Sequence, residues 1–150
     1  MQTQAQPIAR SCTSGGARLF TVQSWEVDSW WPHLVHHIER WVEYDGTWTT
    51  REIKEEIKAA RAQLWCLHHG DIKGIWVTKI DSTDSTTWGT VWGCAGDFGE
   101  HRDDAIAMFG VIEDWFRSKG CGFVEWVGRD GWARLFPDYH KHAVTLRKRL

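Results

Sequence analysis

The chain lacks any long apolar segment, since no run of about 18 apolar residues, the length that spans a bilayer, occurs in it. A membrane-spanning helix is therefore not expected. Residues 1–10 are polar and contain no apolar stretch of the kind that a secretory signal requires. These two absences predict a protein that carries no membrane segment and is not secreted by a signal peptide.

The chain also has few cysteines and a net charge close to zero. The four cysteines lie far apart and form no C-x-x-C pair, which favours free thiols in a reducing compartment. The formal net charge is -2, so the chain has no general basic surface for nucleic acid, and nucleic-acid binding is not expected. The basic cluster at residues 147–149 is interpreted as a solvated chain end.

Tryptophan, in contrast, is abundant, with 12 in 150 residues. Each indole can bury roughly 200 Å², and a domain of this size cannot hide all of them completely. The sequence therefore predicts some half-exposed rings, as at a partner surface or a ligand cleft. The plain alternative is a tryptophan-heavy core with scattered surface rings.

Apolar periodicity and turn residues predict an α/β chain with a polar, flexible N-terminal arm (residues 1–17) and a single domain (residues 18–150). The order of the predicted strands and helices indicates a central, twisted, mixed sheet with helices on both faces. The predicted strands are residues 18–23, 63–68, 72–80, 87–95, 123–127 and 143–147. The predicted helices lie within residues 27–45, after a capping box at residues 49–52, at residues 103–119 and within residues 128–136.

This order of elements resembles the Gcn5-related N-acetyltransferase (GNAT) fold. In that family, the strand before the long helix and the turn that opens the helix hold acyl-CoA, with the pyrophosphate on backbone N–H groups at the helix N-terminus. The resemblance implies that acetyl-CoA, if it binds, contacts the following residues: Trp92, Gly93, Cys94, Ala95, Gly96, Gly99, His101 and Arg102.

The pyrophosphate loop departs from the family pattern Arg/Gln-x-x-Gly-x-Gly/Ala. Gly96 and Gly99 still permit close backbone approach, and His101 and Arg102 supply some positive charge. Acidic side chains surround the anion position, however, and like charge near a pyrophosphate opposes its binding. These acidic residues are Asp97, Glu100, Asp103 and Asp104.

The position of the family's general acid is altered too. Many members carry a Tyr in the short last helix, which protonates the leaving thiolate of CoA. Phe136 takes that place here and has no proton to give. Tyr139 is the candidate catalytic acid if the helix is shifted, although Pro137 lies between the two aromatic residues.

Residues 124–136 are also similar to GNAT-like proteins of tailed bacteriophages, among them a small internal virion protein of T7-like podophages. This resemblance implies a catalytically degenerate protein with no cofactor. It would act as a virion-associated structural or interaction module, located in the virion or the host cytoplasm. Its contact elements would be the tryptophan-rich surface and residues 1–17, and its partners phage virion proteins. The alternative is an active acyl-CoA-dependent N-acetyltransferase, and the oligomeric state stays open.

Two other groups of residues offer chemistry. Residues 66–69 and Asp71 bring Cys, His and Asp side chains to one hairpin, but no second ligand cluster occurs at zinc spacing, so no metal site is predicted. Cys94 lies in a Trp-Gly-Cys-Ala-Gly run that is one residue out of register with a nucleophile turn. A small apolar core role is the expected one for that thiol.

Overall fold

The computed structural model describes residues 12–14 and 16–150. The strands are β1 (Cys12–Ser14), β2 (Ala17–Val22), β3 (Gln63–His69), β4 (Asp71–Ser82), β5 (Thr87–Gly96) and β6 (Val124–Trp126). The helices are α1 (Val27–Asp45), α2 (Thr50–Lys58), α3 (Arg102–Ser118) and α4 (Gly131–Leu135), with a 3₁₀ turn (Ser24–Glu26) before α1.

The six strands form one sheet in the order β1-β2-β3-β4-β5-β6. Neighbours are antiparallel as far as β5, and β6 then pairs parallel to β5 after the α3 crossover. β1 pairs with β2, so residues 12–14 and Ala17 of the predicted N-terminal arm belong to the sheet. Residues 1–11 and 15 of that arm lie outside the described part of the chain.

Each face of the sheet is covered by helices. The α1 and α2 face is mainly aliphatic, and its fully buried residues include Leu34, Ile38, Ile53, Ile57, Leu64 and Ile75. The α3 and α4 face is rich in aromatic rings, with Trp65, Trp76, Phe98, Phe109, Phe116 and Phe136 all buried. The predicted α/β architecture, a mixed sheet with helices on both faces, is confirmed.

The capping box predicted at residues 49–52 is present at the start of α2. The Thr49 hydroxyl accepts a hydrogen bond from the Glu52 backbone N–H at 3.1 Å, and the Glu52 carboxylate accepts one from the Thr49 N–H at 2.8 Å. α1 ends at Asp45 and is followed by Gly46, which adopts a left-handed conformation with φ of 71°. Local sequence therefore sets these two helix boundaries.

The predicted last strand at residues 143–147 is wrong. These residues form no regular structure and are exposed; Val144 and Leu146 are 70% and 91% accessible. Apolar alternation makes a strand only where a neighbouring edge accepts its hydrogen bonds. The segment instead meets the end of α1, where the Arg147 guanidinium donates to the Asp45 carbonyl and the Thr47 hydroxyl, both at 3.0 Å.

The tryptophans divide between core and surface. Trp41, Trp65 and Trp76 are buried, whereas Trp25 is 77% exposed and Trp48 is 39% exposed. The predicted mixture of buried and accessible rings is therefore present. Over the described residues, no helix combines the length and the apolar character needed to cross a bilayer.

Candidate functional site

A cleft opens where β5 and β6 separate. The two strands pair from Gly89 and Val124 to Val91 and Trp126, and β5 then continues to Gly96 beyond that pairing. The opening has a volume of about 130 Å³. It is lined by the end of β5 (Gly93, Cys94, Ala95, Gly96), by α1 (Arg40, Trp41, Tyr44, Asp45) and by the chain after β6 (Val127, Gly128, Arg129, Trp132).

The side of the cleft formed by α1 is polar. The Arg129 guanidinium lies over the Tyr44 ring, 4.1 Å from its centroid, and so joins the two sides of the opening. Arg40 approaches Asp97 at 3.5 Å, and both side chains are more than half exposed. The cleft therefore presents two guanidinium groups, of which Arg40 is partly neutralised by Asp97.

Four of the predicted cofactor residues line this cleft, and Trp92 is not among the lining residues. Trp92 is the extra residue of a β-bulge, because Thr78 pairs with Val91 and Val77 pairs with Gly93. Its ring contacts Trp41 and Trp48 edge-on, and the Lys79 ammonium lies 3.7 Å from the ring centroid. The bulge thus places this indole in packing against α1.

The glycines of β5 are required by packing within the protein. A Cβ on Gly93 would lie 1.9 Å from the Trp41 ring. A Cβ on Gly96, where φ is 155°, would lie 2.4 Å from the Gly74 Cα of the neighbouring strand. Their presence is therefore explained without the approach of a ligand.

The thiol of Cys94 is an unfavourable nucleophile. Burial raises the pKa of Cys94 well above its usual range, and the nearby Arg129 offsets this only in part. The side chain packs against the aromatic face of the sheet. Cys94 therefore matches the apolar core role expected for it.

The turn before α3 and the first residue of that helix contain the other three predicted cofactor residues. Gly99 is exposed, and an added Cβ there would meet no atom within 4 Å. His101 is the N-cap residue, and its ring lies 5.4 Å from the ring of His69. The Arg102 guanidinium donates to the Arg134 carbonyl of α4 at 3.3 Å.

The side chains of this N-terminal turn are unfavourable for a pyrophosphate. The side chains of His101 and Arg102 contact other parts of the protein, and Asp103 and Asp104 add negative charge in the first turn. The cleft itself is also smaller than the roughly 300–1,000 Å³ usual for a ligand pocket. Side-chain contacts, acidic charge and the small volume thus all oppose acetyl-CoA binding, and the residues named for that cofactor stay a prediction.

The position of the family's general acid is occupied by a core residue. Phe136 is 6% exposed and packs against Trp126 and Phe109, with ring centroids 4.8 and 5.1 Å apart. The Tyr139 hydroxyl donates to the Glu113 carboxylate of α3 at 2.9 Å. Burial, reinforced by Glu113, raises the pKa of Tyr139.

Tyr139 also lies apart from the cleft. It lines a separate surface depression of about 80 Å³ with residues of α3 and the end of α4, among them Ile106, Glu113 and Pro137. Its role as a catalytic acid stays a prediction.

Sequence reasoning missed the residues that α1 and the chain after β6 contribute to the cleft. Arg40 and Tyr44 are four residues apart, so they share one face of α1, and that spacing was the available signal. No sequence pattern near these residues indicates that this face of α1 contacts Arg129. The contact depends on the sheet bringing segments about 85 residues apart together.

The hairpin donors considered for a metal do not form a single group. Cys66 is fully buried, and burial raises the pKa of its thiol. The His68 ring packs near Phe20 at 6.2 Å, and Asp71 pairs with Lys73. His69 instead points to the start of α3, where it lies near His101 and Asp104.

No protein-family model matches the chain, and no curated protein matches it in sequence. Solved structures do match its fold. An aminoglycoside acetyltransferase from an uncultured soil metagenomic sample superposes with a TM-score of 0.68 at 11% identity, covering 90% of this chain and 97% of that one.

Two further acetyltransferases are similar. One from Trypanosoma brucei gives a TM-score of 0.62 at 15% identity, covering 89% of this chain and 99% of the other. A GCN5-related N-acetyltransferase from Ralstonia eutropha JMP134 gives 0.60 at 11% identity, covering 90% and 98%. The chain therefore has a GNAT-like fold, and at these identities the likeness extends to the fold alone.

Proposed function

We propose that this GNAT-like protein is catalytically degenerate and works through protein–protein contact, as a structural module associated with a phage virion. The observation that carries the proposal is that no side chain at the family's general-acid position is available to donate a proton to the cleft. Phe136 is packed into the aromatic core, and the nearby Tyr139 hydroxyl is hydrogen-bonded to Glu113. The cleft that would receive an acyl-CoA thus has no proton donor from α4 or from the turn after it.

The close packing of the protein around the glycines of β5 supports the same proposal. The gap left by the missing side chain of Gly93 is filled by the Trp41 ring, and Gly96 makes room for the neighbouring strand. The backbone of β5 beside the cleft is thus packed closely against other parts of the protein. A fold of this kind can be kept without its activity, and this close packing is what supports a degenerate site here.

The surface supplies groups for a protein partner. The last residues of the chain expose Val144 and Leu146, and Trp25 is 77% exposed beside the start of α1. The three-residue strand β6 ends the described sheet. Exposed apolar side chains and a sheet edge are features that other chains bind. The assignment of the partner to virion proteins, and of the protein to the virion or the host cytoplasm, rests on the sequence resemblance of residues 124–136.

Isothermal titration calorimetry with acetyl-CoA tests the degenerate-site part of this proposal. We expect no heat of binding to the full chain at millimolar ligand. Binding at micromolar concentration would overturn it, provided that Arg129→Ala, a change in the cleft, reduces the affinity and Arg51→Ala, an exposed change on α2, does not.

Affinity capture tests the interaction part. Purified full chain, biotinylated at low density on its surface lysines so that residues 1–17 stay accessible, is incubated with disrupted tailed-phage particles of the T7-like type, and retained proteins are identified by mass spectrometry. Retention of a defined virion protein is the expected result. No retention from particles, or retention that deleting residues 143–150 and the change Trp25→Ala together leave unaltered, would contradict the proposed contact surface.

An active acyl-CoA-dependent N-acetyltransferase is the second candidate. It is favoured by the persistence of an open cleft at the divergence of β5 and β6, with two guanidinium groups at its edge. Acetyl transfer from acetyl-CoA to a panel of amines, followed by CoA release, tests it. Turnover that falls in Tyr139→Phe or Tyr44→Phe would support this candidate. Turnover absent with every amine would remove it.

A further inference from the structure

Three metal-ligating side chains meet where the end of β3 approaches the start of α3. They are His69, His101 and Asp104, and one ligand atom from each lies within 4.8 Å of the others. The His69 Nδ1 atom is 3.9 Å from the Asp104 carboxylate, and the two imidazole rings are 5.4 Å apart. This group lies outside the set of residues that line the cleft.

The His69 ring nitrogen is unsatisfied in a way that suggests a missing partner. Nδ1 is shielded from solvent and has no hydrogen-bond partner among the described residues. Its distance of 3.9 Å from Asp104 is too long for a hydrogen bond. Two atoms bound to one tetrahedral Zn²⁺ at the usual bond lengths lie roughly 3.3 Å apart. A small closing movement would therefore let one ion satisfy both groups.

The backbone holds these three residues in regular elements or at their ends. His69 is the last residue of β3, just before the turn at Gly70. His101 is the N-cap of α3, and Asp104, three residues later, lies on the same side of its first turn. Ligands on such elements have restricted positions, which lowers the ordering cost of binding an ion.

The local charge also matters, because the N-terminus of a helix carries partial positive charge that opposes a cation. Asp104 in the first turn of α3 counters that charge directly at the site. The Asp104 side chain is 21% exposed, so its attraction for a cation is screened less than that of a fully exposed carboxylate.

We propose that His69, His101 and Asp104 bind a single divalent transition-metal ion, with Zn²⁺ the best match to two imidazole nitrogens and one carboxylate oxygen. A fourth position is left for water or an external ligand. The inference rests on this geometry and not on the proposed virion role. Of the hairpin residues considered from the sequence, 66–69 and Asp71, only His69 belongs to this site. The sequence predicted no metal site because the other two ligands lie more than 30 residues away.

The test uses the full chain, freed of metal with a chelator and kept reduced with a phosphine. Zn²⁺ is titrated by calorimetry, and Co²⁺ is titrated by visible absorption, which reports a tetrahedral site. We expect one ion per chain. Asp104→Asn preserves shape and removes the charge, and it should weaken binding by more than about 10-fold, the lower limit seen for even indirect metal-site changes. His101→Gln should do the same.

Asp103→Asn is the matched control, because it removes the same charge from the neighbouring, exposed residue. We expect its affinity to stay within about 2-fold of the parent, since Asp103 supplies no ligand atom and an exposed charge that makes no direct contact contributes little. Thermal unfolding without metal checks that each variant folds. Equal loss in the two Asn variants would indicate general charge attraction and overturn the site.

Two other pairs of neighbouring histidines could bind the added metal ion instead, and the test must distinguish them from the proposed site. The rings of His36 and His37 are 4.0 Å apart, and those of His140 and His142 are 6.4 Å apart. Binding that survives Asp104→Asn but is lost in His36→Ala or in His140→Ala would place the ion there and overturn the proposal. A thiolate-to-cobalt band in the near ultraviolet, or no binding of either ion, would overturn it as well.

Discussion

The body of the sheet and the last 30 residues of the chain are built differently. From β2 to α3, strands pair with both neighbours and bury large side chains on two faces. After α3, the chain forms only a three-residue strand and a five-residue helix before an exposed end. One well-buried ring, Phe136, anchors that second region to the first. The contrast teaches that nearly all fully buried side chains lie in the body, and we therefore expect the body to contribute most of the fold's stability.

Removing the central indole of the body is expected to have the largest effect. Trp76 is fully buried and stacks on Phe98 at 4.8 Å. Trp76→Ala should lower the free energy of unfolding by about 3–5 kcal/mol, measured by urea denaturation. Trp25→Ala, at the 77% exposed ring, should change it by less than about 0.5 kcal/mol. Similar losses in both variants would contradict the assignment of the core.

A glycine exchange tests the packing beside the cleft. Gly93→Ala places a methyl group inside the Trp41 ring position and should cost about 1–3 kcal/mol of unfolding free energy, by chemical denaturation. Gly110→Ala, within α3 and with no atom near its added Cβ, should instead stabilise by up to about 1 kcal/mol. If Gly93→Ala were neutral, the gap beside Trp41 would be open to a ligand after all.

A buried polar chain in the body has no counterpart in the exposed end. The Trp65 indole N–H donates to the Thr78 hydroxyl at 2.9 Å, and that hydroxyl donates to the Gln63 side-chain oxygen at 2.9 Å. Thr78→Val leaves the buried indole without its acceptor and should cost about 1–3 kcal/mol in thermal or urea unfolding. Thr145→Val, in the exposed segment, is the control and should have no measurable effect.

Deleting residues 143–150 should have the smallest effect. It removes exposed side chains and the two hydrogen bonds of Arg147, so we expect a loss of at most about 1 kcal/mol in the free energy of unfolding. A loss as large as that of Trp76→Ala would mean that this segment pairs with the sheet in solution. Hydrogen exchange of its backbone amides would then show protection.

Most of the fold could be predicted because its signals are local. The capping box at Thr49 and the apolar spacing of α3 depend on residues within one or two turns, and both predictions agree with the structure. The strand at residues 143–147 had the right alternation, but strand formation depends on a partner edge that no local pattern reports. Local patterns thus indicate where a helix or strand can form, but a predicted strand forms only if the assembled sheet offers an edge to pair with it.

The candidate site was less predictable, because its residues come together from distant parts of the chain. The β5 residues were found through a family resemblance, whereas Arg40 and Tyr44 reach the cleft only through the packing of α1. His69 and His101 are separated by 32 positions and by two strands, so no spacing rule joins them. Tertiary neighbours of this kind carry no periodic signal.

The order of the strands has a consequence for how the chain folds. β3, β4 and β5 follow one another directly and pair as hairpins, so their contacts close over short loops. β6 joins the sheet only after the α3 crossover, and parallel pairing of that kind carries a greater loop-closure cost. We expect the three-stranded hairpin unit to form early and the β5–β6 pair to form late. The cleft, which exists only where those two strands separate, is then among the last parts of the molecule to be assembled.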